Sequence, residues 1–316
     1  MIPAVFLMGP TASGKTDLAL KIAAEFPCEI VSVDSVMIYR DMDIGSAKPG
    51  KEVLRACPHH LIDILDPAEV YSAANFRADA LRLIREIHGR GNVPLLTGGT
   101  MLYFSTLQRG LSVMPGANAR IRQRINRLAA QYGWEVMHAR LEQVDPQAAT
   151  NIHPNDPQRI QRALEVYEAS GIPISTWRAR SKSPVQEFRP LKLALIPEDR
   201  SLLHQRIRHR FEAMLENGFL DEVVALWQRK ELHSDLPSIR SVGYRQAWQY
   251  LAGKCSYEAM RETAIIATRQ LAKRQLTWLR SESGLTRIPA GQEVAGHIFG
   301  TIHSHLEALT CYTTDA

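Results

Sequence analysis

Ala4-Val-Phe-Leu-Met8 runs directly into Gly9-Pro-Thr-Ala-Ser-Gly-Lys-Thr16, and a segment carrying Leu18, Leu20, Ile22, Ala23 and Phe26 follows before Pro27. Five apolar residues bounded by Gly and Pro suit a strand buried on both faces. The later apolar stripe has the spacing of an amphipathic helix, which Pro27 ends. Between them, residues 9–16 match G-x-x-x-x-G-K-[ST] in full and in the strand-to-helix setting that gives the motif its mechanism. The glycines let backbone N–H groups converge on an anion, and the helix adds its positive end. Lys15 supplies a point charge and Thr16 offers a hydroxyl to a Mg²⁺ ion. Gly9, Pro10, Thr11, Ala12, Ser13, Gly14, Lys15 and Thr16 therefore read as a loop for phosphate or pyrophosphate; the motif alone does not say whose.

Further strands are expected at Glu29–Val33, His60–Ile64 and Val93–Thr97, and a Ser-capped helix with Phe76, Ala80, Leu83, Ile84 and Ile87 on one face at 72–88. Alternating strands and helices predict a parallel α/β sheet. In such a sheet the strand C-termini share one crevice. Asp34, ending the second strand, thus shares an edge with Lys15, where it can hold Mg²⁺, act as a general base or cap a turn. Gly98-Gly-Thr100 repeats the geometry after the strand at 93–97, with Thr100 placed to cap a helix or to meet substrate. A second acidic residue of the kind that P-loop kinases carry at a strand end is not clear, Asp34 and Asp63 being the candidates.

From about Val113 the pattern changes to polar helices with Arg120, Arg122, Arg124 and Arg127, and no buried strand is expected before Lys192–Ile196. The fold expected is α/β: a P-loop-type parallel sheet core flanked by helices (1–112 and 183–316), an inserted all-helical domain (113–182), and a helical C-terminal part. Gly218 and Gly253 are the expected helix breaks, and the last twenty or so residues are expected to fray. The three segments carry net charges of −1, +4 and +2 in the order 1–112, 113–182 and 183–316. Residues 237–280 set eight cations against two carboxylates, with Tyr244, Trp248, Tyr250 and Trp278 interleaved. That suits either a solvated helix face or a surface that stacks bases and grips phosphates. Four scattered cysteines form no C-x-x-C pair, and the histidines show no metal spacing. No run reaches the roughly 18 apolar residues of a membrane helix, and no secretory signal is recognisable, so a cytoplasmic protein is expected.

Several of these stretches together resemble the tRNA dimethylallyltransferases, or tRNA isopentenyltransferases. They are GPTASGKT at 9–16, SVDSVMIYRDMDIGSAKP at 32–49, PHHLIDILDP at 58–67, YSAANFRADA at 71–80 and LLTGGTMLY at 95–103. IHPNDPQRIQRALEVY at 152–167, LPSIRSVGYRQ at 236–246 and ATRQLAKRQLTWLR at 267–280 complete the series. No C-terminal Cys/His zinc finger is present, as in bacterial members, and Met37 and Ser46 stand where Gln and Thr are common. The resemblance implies transfer of a dimethylallyl group from dimethylallyl diphosphate to N6 of the adenosine 3′ of the anticodon. By family position Lys15, Asp34 and Thr100 are catalytic, Arg210 joins residues 9–16 on the diphosphate, and Mg²⁺ lies near Thr16. Asp34, Ser35, Val36 and Met37, Thr100, Arg122, and Gln158, Arg159, Ile160, Gln161 and Arg162 are expected to meet the tRNA anticodon stem-loop. So are Arg240, Ser241, Val242, Gly243, Tyr244 and Arg245, and Lys273, Arg274, Gln275, Leu276, Thr277, Trp278, Leu279 and Arg280. A monomer with no membrane partner is expected. A small-molecule kinase or nucleotide hydrolase using the same loop for ATP is the alternative from another class.

Overall fold

The structure is a computed structural model describing residues 1–112, 114–180, 187–290 and 295–310. Its strands are β1 (Ile2–Met8), β2 (Cys28–Val33), β3 (His59–His60), β4 (Val93–Gly98), β5 (Phe188–Ile196) and β6 (Leu285–Pro289). Helices α1 (Lys15–Glu25), α2 (Lys51–Ala56), α3 (Ala73–Gly89) and α4 (Met101–Arg109) alternate with the first four strands. They are followed by α5 (Ala119–Tyr132), α6 (Trp134–Val144), α7 (Pro146–Asn151), α8 (Pro157–Ser170) and α9 (Ile174–Arg180). After β5 come α10 (Arg200–Glu216), α11 (Phe219–Trp227), α12 (Tyr244–Leu251), α13 (Tyr257–Ser281) and, beyond β6, α14 (Ala295–Thr310). The chain forms two units, Met1–Gln108 with Gln186–Ala316, and Arg109–Val185. The switch points expected at 113 and 182–183 lie outside the described residues.

In the first unit the sheet order is β3-β2-β4-β1-β5-β6, with every neighbouring pair parallel. Side chains of β1 alternate: Ala4, Phe6 and Met8 enter a core with α3 and α4, and Val5 and Leu7 enter another with α1 and α14. Burial on both faces is why β1 reads as a continuous apolar run. Ser72 caps α3 as expected, its Oγ accepting from Asn75 N at 3.1 Å. A third core joins Ile38, Tyr39 and Met42 to α10–α13.

Three expectations need correction. The third strand is only two residues long, because Leu61 and Asp63 take left-handed φ values of 61° and 55°, which an extended strand does not accommodate. The segment expected to fray contains most of α14, whose Ile298 and Ile302 are buried against α1 and β1. Tyr244 and Trp248 are not a stacking surface: both lie in the third core, packed on Phe219 and Trp227 respectively.

The second unit is a helical cluster whose core is Ile125, Met137, Leu141, Ile160, Leu164 and their neighbours. Asn118, Asp145 and Asp156 cap α5, α7 and α8 through side-chain oxygens. Fully buried Glu165 on α8 accepts from Asn118 N at 2.6 Å, Arg122 Nε at 2.9 Å and Arg162 at 2.8 Å. Burial alone would raise its pKa, but the hydrogen bonds from Arg162, Asn118 N–H and Arg122 outweigh that and hold it below its ordinary 4.5. Its contribution to stability is therefore present above the ordinary value and lost as pH falls through the depressed one. Glu165→Ala should destabilise this unit by about 1–3 kcal/mol, since it removes three hydrogen bonds to a buried carboxylate whose donors, Asn118 N, Arg122 and Arg162, keep partial access to water. Denaturant unfolding at neutral pH and again in acid should show the difference from the parent shrinking in acid; an equal difference at both would contradict the assignment.

Candidate active site

Because all strands run the same way, the loops after β1, β2 and β4 open at one edge, and these three strands are adjacent in the sheet. Gly14 ends the first loop in the left-handed conformation, φ 87°, immediately before α1, a geometry in which a β-carbon is strained. Lys15 folds back so that its Nζ donates to Pro10 O at 2.6 Å and lies 3.5 Å from Ser13 Oγ. Burial, then repulsion from Arg210, lowers its pKa to about 7, with Asp34 acting in the opposite sense. An anion entering the loop supplies the charge that favours the ammonium form.

After β2, Asp34 lines the cleft and its Oδ1 accepts from Val36 N at 2.8 Å and Met37 N at 3.3 Å, so one carboxylate oxygen caps the turn. Thr100, after β4, hangs on the same strand end: its N donates to Val33 O at 3.1 Å and its Oγ1 accepts from Ser35 N at 3.2 Å. Residues 35–49 are held from outside. Lys48 Nζ donates to Tyr39 O at 2.9 Å and pairs with Asp43 and Asp63. Asp63 thus serves the ion pair and does not line the cleft. Glu222 accepts from Asp43 N, Ile44 N and Gly45 N at 2.8, 2.6 and 3.1 Å and from Tyr244 Oη at 2.6 Å.

Two helix faces complete the cleft. From α10 come Ile207, Arg210, Phe211 and Met214, and from α13 Thr268, Leu271 and Gln275. These are helical spacings along one face, a signal that sequence reading missed for every member but Arg210 and Gln275. Arg210 feels Lys15 and Asp34, and its burial lowers its pKa against the pull of Asp34. Of the residues expected at the site, Thr11, Ala12, Lys15, Thr16, Asp34, Val36, Met37, Arg210, Val242, Gly243 and Gln275 line this one cleft. It therefore joins cations and loop amides to a carboxylate and an apolar wall.

The residues expected to contact RNA are placed unevenly. Arg240, Arg245, Lys273, Arg274, Thr277, Trp278 and Arg280 are exposed, and Gln158 and Arg159 are exposed on the second unit. The side chains of Ile160, Tyr244 and Leu279 point into cores, where packing and not RNA contact is open to them. Leu276 packs against the third core. Arg122 and Arg162 are held by Glu165, and Gln161 Nε2 donates to Asn126 Oδ1 at 2.5 Å. Gln275 turns inward, and its contacts are taken up below.

A P-loop at the edge of a parallel sheet, facing a carboxylate and an apolar wall, defines an α/β phosphate-binding protein built for group transfer. A family model described as IPP transferase matches residues 37–282, and one described as isopentenyl transferase matches residues 3–68. A curated relative from Thioalkalivibrio sulfidiphilus (strain HL-EbGR7), named tRNA dimethylallyltransferase, is 56% identical over 306 residues, 97% of this chain and 96% of its own. The crystal structure of the full-length tRNA isopentenylpyrophosphate transferase from Bacillus halodurans matches with a TM-score of 0.70 at 33% identity, covering 98% of this chain and 100% of that one. A eukaryotic dimethylallyltransferase, solved in crystallographic snapshots acting on tRNA, matches at 0.75 and 28% identity over 92% of this chain and 75% of that one. The chain belongs to the tRNA dimethylallyltransferase family.

If Lys15 is the principal charge in the phosphate loop, Lys15→Met should weaken binding of inorganic pyrophosphate by about 10- to 100-fold, the worth of a charge-assisted contact. Isothermal calorimetry with circular dichroism as the folding control measures this; unchanged affinity in a folded variant would place the anion elsewhere.

Proposed function

We propose that the protein transfers a dimethylallyl group from dimethylallyl diphosphate to N6 of the adenosine immediately 3′ of the anticodon in tRNA, releasing diphosphate. The observation that carries this reading is the single cleft in which Lys15 and Arg210, Asp34, and the wall of Ile207, Phe211, Met214 and Leu271 meet. A kinase needs the first of these; an apolar wall suits a prenyl tail. The loop amides, Lys15 and Arg210 stabilise charge as the allylic C–O bond breaks, and the diphosphate departs with that electron pair. The N6 lone pair forms the new bond to the allylic carbon, and the Asp34 carboxylate takes the proton that N6 loses. Thr100, tied to Ser35, orients the same amine. Among the described residues no group of three or more His, Cys, Asp or Glu gathers. Mg²⁺ commonly keeps waters and substrate phosphates as ligands, so the Thr16 hydroxyl, which lines the cleft, would be its protein contact. When bound, the ion would neutralise the leaving diphosphate.

A base inside a stacked anticodon loop cannot enter such a cleft, so the adenosine must be extruded, and surface beyond the cleft has to hold the RNA. The exposed face of α13, with Lys273, Arg274, Trp278 and Arg280, offers phosphate contacts beside an aromatic ring. Among the described residues no helix is long and apolar enough to cross a membrane.

Incubating the protein with unmodified tRNA, Mg²⁺ and dimethylallyl diphosphate should yield prenylated adenosine and pyrophosphate in equal amounts. ATP turnover independent of tRNA, without prenylation, would favour the kinase or hydrolase reading instead. Asp34→Asn should slow single-turnover transfer by about 10²- to 10⁴-fold while leaving tRNA affinity largely intact; a loss confined to affinity would remove the base role. Neutralising Lys273 and Arg274 together should weaken tRNA binding and flatten its salt dependence, as each lost phosphate contact lowers the slope by about one. An unchanged slope would make that face merely solvated.

A further inference from the structure

Gln275 sits on α13 between exposed Arg274 and exposed Thr277, yet it is itself 7% exposed and turned inward. Its Oε1 accepts from Thr11 N in the phosphate loop at 2.9 Å, and its Nε2 donates to Gly99 O in the loop after β4, also at 2.9 Å. One planar amide, used once as acceptor and once as donor, thus joins the two loops that flank the cleft. The fit is tight from the other side as well: a β-carbon at Gly99 would lie 2.4 Å from Gln275 Nε2, so position 99 has no room for a side chain while the amide is in place. Thr11 N–H is engaged by the amide, which leaves the later amides of the loop to face the anion.

We propose that Gln275 is a positioning residue and not an RNA contact: it fixes the distance between the phosphate loop and the Gly98–Thr100 loop. That distance sets how the leaving diphosphate stands relative to the amine that Asp34 and Thr100 orient. The helix divides its labour by face, with Lys273, Arg274 and Trp278 outward and Gln275 inward as a strut. The inference deepens the prenyl-transfer reading and rests on it for its kinetic readout.

Two replacements separate the strut from bulk packing. Gln275→Met keeps the length and removes both hydrogen bonds. Gln275→Glu keeps the shape and the bond from Thr11 N, but opposes a carboxylate to the Gly99 carbonyl. Both should lower kcat, the Met variant by about 10²-fold, the usual effect of an ångström-scale misplacement, with KM for tRNA within about twofold. A double-mutant cycle supplies the second measurement. Gly99→Ala should slow the wild-type enzyme but cost little more in a Gln275→Ala background, because both changes break one contact. Unchanged kcat in folded Met and Glu variants, a loss confined to KM for tRNA, or additive losses in the cycle would each overturn the strut. Absence of prenyl transfer by the wild-type protein in the same assay would instead strike the reading beneath it.

Discussion

Parallel strands place all their C-termini at one edge, and the chemistry here depends on that geometric constraint. Adjacency of β2, β4 and β1 brings residues 9–16, Asp34 and Thr100 together although 83 residues lie between Thr16 and Thr100 in the chain. The sheet holds because β1 is buried on both faces, Ala4, Phe6 and Met8 toward α3 and α4, Val5 and Leu7 toward α1 and α14. A polar side chain in β1 would leave an unpaired group in one of those cores and loosen the strand that carries the phosphate loop. The stability of the sheet and the geometry of the site are therefore one requirement.

Local physics was legible in the sequence. The phosphate loop is specified by eight consecutive residues, the cap of α3 by Ser72 and Asn75, and the crevice by strand direction. What stayed hidden depends on contacts between distant residues. Glu222 reaches the amides of residues 43–45 from α11, and Gln275 reaches Thr11 across nearly the whole chain; neither separation leaves a pattern. Two misreadings had a usable signal. Ile298, Ile302 and Leu306 recur every four residues, the stripe of a docked helix where fraying was expected. Tyr244 and Trp248, also four apart, form an inward stripe, so their spacing favoured a core over a stacking surface. The short β3 had no such warning, since a left-handed Leu61 is set by its surroundings.

Charge totals mislead in the same way. The segment from 113 to 182 carries +4, but Arg122 and Arg162 are spent on buried Glu165, and Arg124 and Arg140 pair with Glu168. The cations of α13 at 273, 274 and 280 instead stand exposed on a helix whose other face is core. Net charge says how much positive surface a segment can offer, and ion pairing decides how much of it remains for RNA phosphates.

The central claim is that one cleft holds the diphosphate and the adenine amine at once. A crystal structure of the protein with an anticodon stem-loop and an unreactive thio analogue of dimethylallyl diphosphate tests it directly. The account predicts the diphosphate within residues 9–16 beside Arg210, with an extruded adenine whose N6 is in hydrogen-bond reach of the Asp34 carboxylate. An adenine still stacked in its loop, or a diphosphate bound away from Lys15, would contradict it.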